Sequence, residues 1–333
     1  MELPKFRALG DIVMIERVNE SNLQEYENFI KSHPKGLFQH SSKWAKVKSA
    51  WKWEAVMLKE DGEIKGAAAA LIRSIPVIKN SLMYVCRGFT ADENDFDTFD
   101  KLFDALKQIG KEYKAYCIKI DPEILISNTA YKQHLLDKGF VELNPGCMDF
   151  ENVQPRFVYC FDYNGMNEDE LMLTFKSDYR NRIRKSYRKG VEVKICGKEA
   201  LDDFVRIMGE TGERDNFSTR PKWYFEKILD CMTDDARLYM AYYEGKAIAG
   251  TIAIKWGQNV MKYQYGASSN AHRNVYPNYA LQWEMIKWGL ECGSKTYDFG
   301  GISGDCQNPE NSHYGLWRFK HGFGGEMRVC RRV

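Results

Sequence analysis

Three segments of this chain recur in the same order about 180 residues further on, and no other feature constrains the fold as strongly. "FQHSSKWAKVK" (Phe38–Lys48) answers to "FSTRPKWYFEK" (Phe217–Lys227). "EDGEIKGAAAAL" (Glu60–Leu71) answers to "YEGKAIAGTIAI" (Tyr243–Ile254), each a strand, a tight glycine turn and a small-residue strand. "LFDALKQIGKEYKAYCIKID" (Leu102–Asp121) answers to "LQWEMIKWGLECGSKTYDFG" (Leu281–Gly300), helical spacing closed by a glycine and then a strand. Each half therefore reads helix, strand hairpin, helix, strand, and the pair reads as a duplicated α/β unit with mixed sheets. The chain's 333 residues also exceed what one hydrophobic core of ~250–300 residues organises.

Between the copies lies "FKSDYRNRIRKSYRKGVEVK" (Phe175–Lys194). Phe175, Tyr179, Ile183 and Tyr187 recur every fourth residue, which predicts the apolar stripe of a helix over 175–190, stopped by Gly190. Lys176, Arg180, Arg182, Arg184, Lys185, Arg188 and Lys189 cover the rest, against Asp178 as the one acid. Like charges packed this way repel, so the face suits a phosphate-rich partner or a solvated surface. The chain's net charge of +2 means that any attraction to a polyanion comes from such local clustering.

Many chemistries lack their machinery. No GxxxxGK[ST], strand-linked GxGxxG, HExxH or GxSxG occurs. Nine cysteines are scattered with no CxxC pair, as expected of thiols in a reducing cytoplasm. The most apolar stretch, "GAAAALI" (Gly66–Ile72), is too short to span a bilayer, and the first residues lack a signal-type apolar core. The expectation is a cytoplasmic protein whose reaction needs positioning and charge stabilisation without a metal, redox cofactor or protein nucleophile.

Five motifs carry a resemblance: "WAKVK" (Trp44–Lys48), "GERDNFSTRPKWYFEK" (Gly212–Lys227), "YQYGASS" (Tyr263–Ser269), "YDFGGIS" (Tyr297–Ser303) and "LWRFKHGFGGE" (Leu316–Glu326). In this order, over nearly the whole chain, they resemble the Fem family of aminoacyl-tRNA-dependent transferases that build peptidoglycan cross-bridges. The resemblance implies two tandem GNAT-like, acetyltransferase-type domains, 1–153 and 154–325, the second holding the basic helix. It also implies that a last strand, 326–333, returns to the first domain. The acyl-CoA pyrophosphate loop of the GNAT superfamily, R-x-x-G-x-G, is not intact: "RNVYPN" (Arg273–Asn278) places Tyr276 and Asn278 where glycines let a backbone approach pyrophosphate.

The implied donor is an aminoacyl-tRNA ester. The implied acceptor is the side-chain amine at position 3 of a muramyl pentapeptide, on UDP-MurNAc or on a lipid carrier. A lipid carrier would bring peripheral contact with the inner membrane face; a monomer is expected. By motif, Lys320 is the oxyanion stabiliser, with Phe319 beside it excluding water. Lys48 and Arg220 hold phosphate, Tyr224 and Tyr265 line the groove, and Tyr116 and Asp121 lie near the acceptor. Asp121 is the candidate acceptor of the amine's proton. Arg180, Arg182, Arg184, Lys185 and Arg188 are the candidate tRNA contacts. No sustained heptad pattern marks the coiled-coil arm of several relatives, so the chain resembles the compact members. Two other readings are a GNAT-type N-acyltransferase with a different donor and a non-catalytic RNA-binding relative.

Overall fold

Both repeat hairpins close through the same two-residue turn. Asp61 and Gly62 take φ of 50° and 86°, and Glu244 and Gly245 take 50° and 75°. Positive φ at both central positions gives a turn whose twist matches that of the strands it joins. The computed structural model describes residues 5–7, 12–77, 79–148 and 154–330. The chain divides into two units, Met1–Arg156 with Val329–Val333, and Phe157–Arg328.

The first unit is a six-stranded sheet. Its strands are β1 (Lys5–Arg7), β2 (Ile12–Arg17), β3 (Lys52–Glu60), β4 (Glu63–Ile75), β5 (Asn80–Val85) and β6 (Ala115–Ile120), in that spatial order. Helices α1 (Leu23–Ser32) and α2 (Ser42–Val47) precede β3, α3 (Phe96–Glu112) carries the chain from β5 to β6, and α4 (Thr129–Asp137) follows. All neighbours are antiparallel except β5 and β6, since a helical crossover returns the chain in the same direction. Leu102, Leu106 and Ile109 of α3 are fully buried over Val56, Met83, Val85 and Ile120 of the sheet.

The second unit repeats this plan and extends it. Its elements are β7 (Phe157–Asp162), α5 (Glu168–Thr174), α6 (Ser177–Arg188), β8 (Glu192–Cys196), α7 (Leu201–Asp215), α8 (Lys222–Met232), β9 (Ala236–Tyr243), β10 (Lys246–Trp256), β11 (Val260–Ser268), α9 (Pro277–Glu291), β12 (Thr296–Gly301), α10 (Tyr314–His321) and β13 (Glu326–Val329). The strand order is β13-β7-β12-β11-β10-β9-β8, and β11 and β12 form the parallel pair, joined through α9. The last strand runs beside β7 in this unit's sheet. The chain enters the first unit only at its end, where Val329 accepts from the Ile126 N–H at 3.0 Å and Cys330 bridges Leu125. Residues 331–333 of the expected returning strand lie outside the described residues.

The basic helix spans Ser177–Arg188, within the 175–190 expected, and its apolar stripe differs at both ends. Tyr179 and Ile183 are buried, and Gly190 follows the helix at φ 92°. Phe175 is buried from the segment before the helix, and Ser186 takes the inward place expected of Tyr187. Tyr187 instead points outward enough for its hydroxyl to donate to Glu284 at 2.6 Å. A 3.6-residue period drifts off a strict four-residue stripe, so the fourth position rotates out of the interface.

Gly322 seats this helix. A Cβ there would lie 2.0 Å from the Tyr179 ring, whose hydroxyl donates to the Arg318 carbonyl of α10 at 2.8 Å. Gly322→Ala should therefore destabilise the protein by roughly 3 kcal/mol, the upper range of overpacking costs. Gly315→Ala in α10 places its Cβ with no atom within 4 Å and should be neutral or stabilising. Chemical denaturation of both variants checks the contrast, and equal midpoints would rule out the close-packing account.

Candidate active site

In the second unit two parallel strands part. β11 and β12 pair over Val260–Thr296, Met261–Tyr297 and Lys262–Asp298, after which β11 continues beside β10 alone. β12 turns away at Gly300, whose φ of 80° suits a residue without a side chain. Lys262 and Asp298, 7% and 8% exposed, close the last rung as a buried ion pair. Oδ2 of Asp298 meets Lys262, and Oδ1 accepts the Gly300 N–H at 2.6 Å. Neither residue was singled out in the sequence. The available signal was a lone lysine in the strand "VMKYQYG" and the aspartate before the glycines of "YDFGG".

Lys320 comes to this point from α10. It is 3% exposed, and its Nζ donates to the Gly301 carbonyl at 2.6 Å. Among the described residues it makes no ion pair. Burial pushes its ammonium down to about 7, the field of Asp298 opposing that shift and the charge of Lys262 adding to it. Phe319 is half-buried, edge-on to Tyr279 and Phe323 at 5.3 and 5.4 Å between ring centres. Phe323 is fully buried against Phe175, Tyr179 and Phe299. Lys320 and Phe319 thus lie on one short helix whose end is packed in aromatic rings.

Arg220, Tyr224 and Tyr265 come together as a second group. The exposed Arg220 guanidinium lies over the Tyr224 ring at 5.5 Å, and the Tyr265 hydroxyl donates to that of Tyr224 at 3.1 Å. Burial, reinforced by Tyr265, raises the Tyr224 phenol well above its ordinary range, so it stays neutral.

The five cations proposed along α6 divide by environment. Arg182 donates to the Tyr279 hydroxyl, pairs with Asp178 at 3.3 Å and stacks on Tyr179, Tyr276 and Tyr279. Lys185 lies over Tyr276 at 5.6 Å. Arg180, Arg184 and Arg188 follow one another at helical spacing and make no ion pair among the described residues. Tyr276 sits in the left-handed region at φ 61° immediately before α9, its ring under both Lys185 and Lys189.

The remaining candidates belong to the first unit. The Lys48 ammonium lies 5.1 Å from the Trp44 ring centre. Tyr116 is 54% exposed on β6. Asp121 is 1% exposed, with Oδ2 accepting from the Tyr84 hydroxyl at 2.5 Å and Oδ1 from the Arg87 N–H at 2.6 Å. Its carboxylate is committed to the turn after β5, where Arg87 and Gly88 take φ of 61° and 81°. The Cys86 thiol beside it is pushed up to about 12, chiefly by burial, with Asp121 adding to the shift and Lys48 opposing it.

The profile of the FemAB family matches residues 22–255 and 243–330. Lipid II:glycine glycyltransferases of Staphylococcus epidermidis and Staphylococcus aureus are 30% identical, each match covering 93% of this chain and 90% of the relative. The aligned lengths of 377 and 382 positions exceed this chain's 333 residues, so the relatives carry residues without a counterpart here. The crystal structure of FemX superposes with a TM-score of 0.86 at 28% identity over 95% of both chains. A tandem GNAT protein of clavulanic acid biosynthesis shares the fold at 10% identity, with a TM-score of 0.58 over 96% of this chain and 97% of that one. The fold is therefore two tandem GNAT-like domains, and this chain belongs to the FemAB family.

Proposed function

We propose that this chain is an aminoacyl-tRNA-dependent transferase that adds an amino acid to the position-3 side-chain amine of a peptidoglycan stem peptide. The observation that carries the reading is Lys320, a buried cation that makes no ion pair among the described residues, at the point where β11 and β12 part. An amine attacking an ester creates a tetrahedral oxyanion, and a preorganised cation in a water-poor setting is the strongest single aid to that step. Family membership and the named activity of the glycyltransferase relatives support the same chemistry. Their named substrate supports the lipid-linked acceptor in this reading, with the reaction at the cytoplasmic membrane face.

In this reading Arg220 holds the acceptor's diphosphate beside Tyr224 and Tyr265, and Lys48 is a second phosphate-binding cation. Tyr116 contacts the acceptor peptide. Asp121, with both oxygens engaged, orders the end of β6 and takes no proton. The face of Arg180, Arg184 and Arg188 binds the tRNA backbone with Lys185, while Arg182 fixes the helix to Tyr279. Phe319 shields the lysine from water.

The direct test is to incubate the protein with charged tRNA pools and lipid-linked or UDP-linked muramyl pentapeptide and weigh the products. A stem lengthened by one residue supports the reading. Transfer only from an acyl-CoA would make the protein another N-acyltransferase, and RNA binding without any product would make it a binding relative.

Lys320→Met should lower turnover by about two to three orders of magnitude, the usual loss for one oxyanion partner. The same change should stabilise the fold at low pH. Below about 7 both folded and unfolded states hold the lysine proton, so the cost of the buried charge is fully present. Between there and the ordinary lysine value of ~10.4 the folded state releases the proton first, which relieves that cost. Lys320→Met should thus raise Tm at pH 6, with a gain that shrinks towards pH 10. Unchanged turnover would remove Lys320 from the mechanism.

Arg220→Ala should weaken acceptor binding by ~1.5–3 kcal/mol, the worth of a charge-assisted hydrogen bond, and only for acceptors that carry the diphosphate. Equal loss with a bare stem peptide would mean that Arg220 does not read phosphate. Arg180→Glu with Arg184→Glu should raise the KM for aminoacyl-tRNA by about tenfold or more and flatten its salt dependence, because phosphate contacts release counterions. The acceptor KM should stay put. Steady-state titration at several salt concentrations decides, and a shift confined to the acceptor would reassign the helix.

A further inference from the structure

Three buried charged groups meet at the parted strands, and only two of them pair. Beside Lys320, the field of Asp298 favours its charged form and the charge of Lys262 opposes it. Lys262 holds Oδ2 of that carboxylate and the Gly300 N–H holds Oδ1. What Lys320 has is a neutral carbonyl, that of Gly301. An ammonium has three donors, so two are left to address an incoming oxygen. Gly300 presents only hydrogen on this side, since a Cβ there would stand 4.0 Å from the Lys320 Nζ.

We propose that Lys262 is a positioning residue of the transfer reaction: by occupying Asp298 it prevents that carboxylate from capturing Lys320, and so keeps the Lys320 donors directed at substrate. The inference rests on the oxyanion role proposed for Lys320. Asp298 is already engaged on both oxygens, by Lys262 and by the Gly300 N–H, and an unpaired buried charge is costly. The arrangement assigns the pairing to the lysine on the strand and leaves the lysine on the helix unsaturated. A carboxylate without Lys262 would attract Lys320 more strongly, since the Lys320 ammonium lies at the adjoining Gly300–Gly301 corner and the field of Asp298 already reaches it.

A double-mutant cycle tests this. Lys262→Met preserves side-chain length and takes the cation away from Asp298, and it should lower turnover about 100-fold while leaving the KM for both substrates within about threefold. Lys262→Met with Asp298→Asn removes the competing carboxylate as well, while the amide oxygen still accepts from Gly300. It should recover turnover to within about tenfold of the parent, a rescue that damaged packing would not give. The second readout needs no activity: titration of the Lys320 ¹³Cε signal, assigned by its absence in Lys320→Met. Its midpoint should rise in Lys262→Met, because an opposing cation is lost and an attracting carboxylate is gained, and should return towards the parent's in the double variant.

Full activity of Lys262→Met, or a folded double variant no faster than the single one, overturns the proposal. If Lys262→Met does not fold, the double variant alone decides, since it must be active. A parent that transfers nothing from aminoacyl-tRNA overturns the proposed reaction, and this inference with it. The ¹³C midpoints would still show whether Lys262 governs the charge of Lys320.

Discussion

The ion pair of Lys262 and Asp298 stands at the last rung shared by β11 and β12, and the chemistry proposed for this chain depends on it. Burying two charges is costly, and mutual attraction offsets that cost only when the remaining hydrogen-bonding capacity is used. Here the Gly300 N–H takes the second carboxylate oxygen, which also secures the left-handed turn by which β12 leaves its neighbour. One interaction therefore sits at the end of the parallel ladder and secures the glycine corner, and in the proposed mechanism it leaves Lys320 available to substrate.

The two repeats show how a shared topology acquires different chemistry. In the first unit the parallel pair β5–β6 holds one register over the four pairs from Leu82–Cys117 to Val85–Ile120, and Asp121 then caps the turn after β5 through the Arg87 N–H. In the second unit pairing ends after three, and the position that answers to Asp121 in the repeat is Gly300. A carboxylate closes one strand end, while a glycine opens the other. The ladder that continues gives stability, and the ladder that stops leaves room beside a cation.

Residues suited to function are those least favourable to the fold. Lys320 is buried with a depressed proton affinity, and Arg180, Arg184 and Arg188 repel one another along one face. Their positions are secured by neighbours that are wholly structural. Tyr179 packs on Gly322 and donates to Arg318, and Phe323 inserts among Phe175, Tyr179 and Phe299. Arg182 closes the set by binding Tyr279, which in turn meets Phe319. The charged helix and the helix that carries Lys320 are thereby parts of one packed cluster.

Much of this was legible in sequence, because it rests on local periodicity and turn chemistry. The duplicated order of helix, hairpin, helix and strand, the presence of a basic helix ahead of Gly190 and the proximity of Arg220 to Tyr224 follow from spacing and residue type along the chain. The pairing of residues far apart does not. Nothing in the sequence couples Lys262 to Asp298, assigns β13 to the edge of β7, or commits both oxygens of Asp121 to Tyr84 and Arg87. Those outcomes depend on which strand register buries which charge, an energy that exists only once the sheet has formed and water has left it.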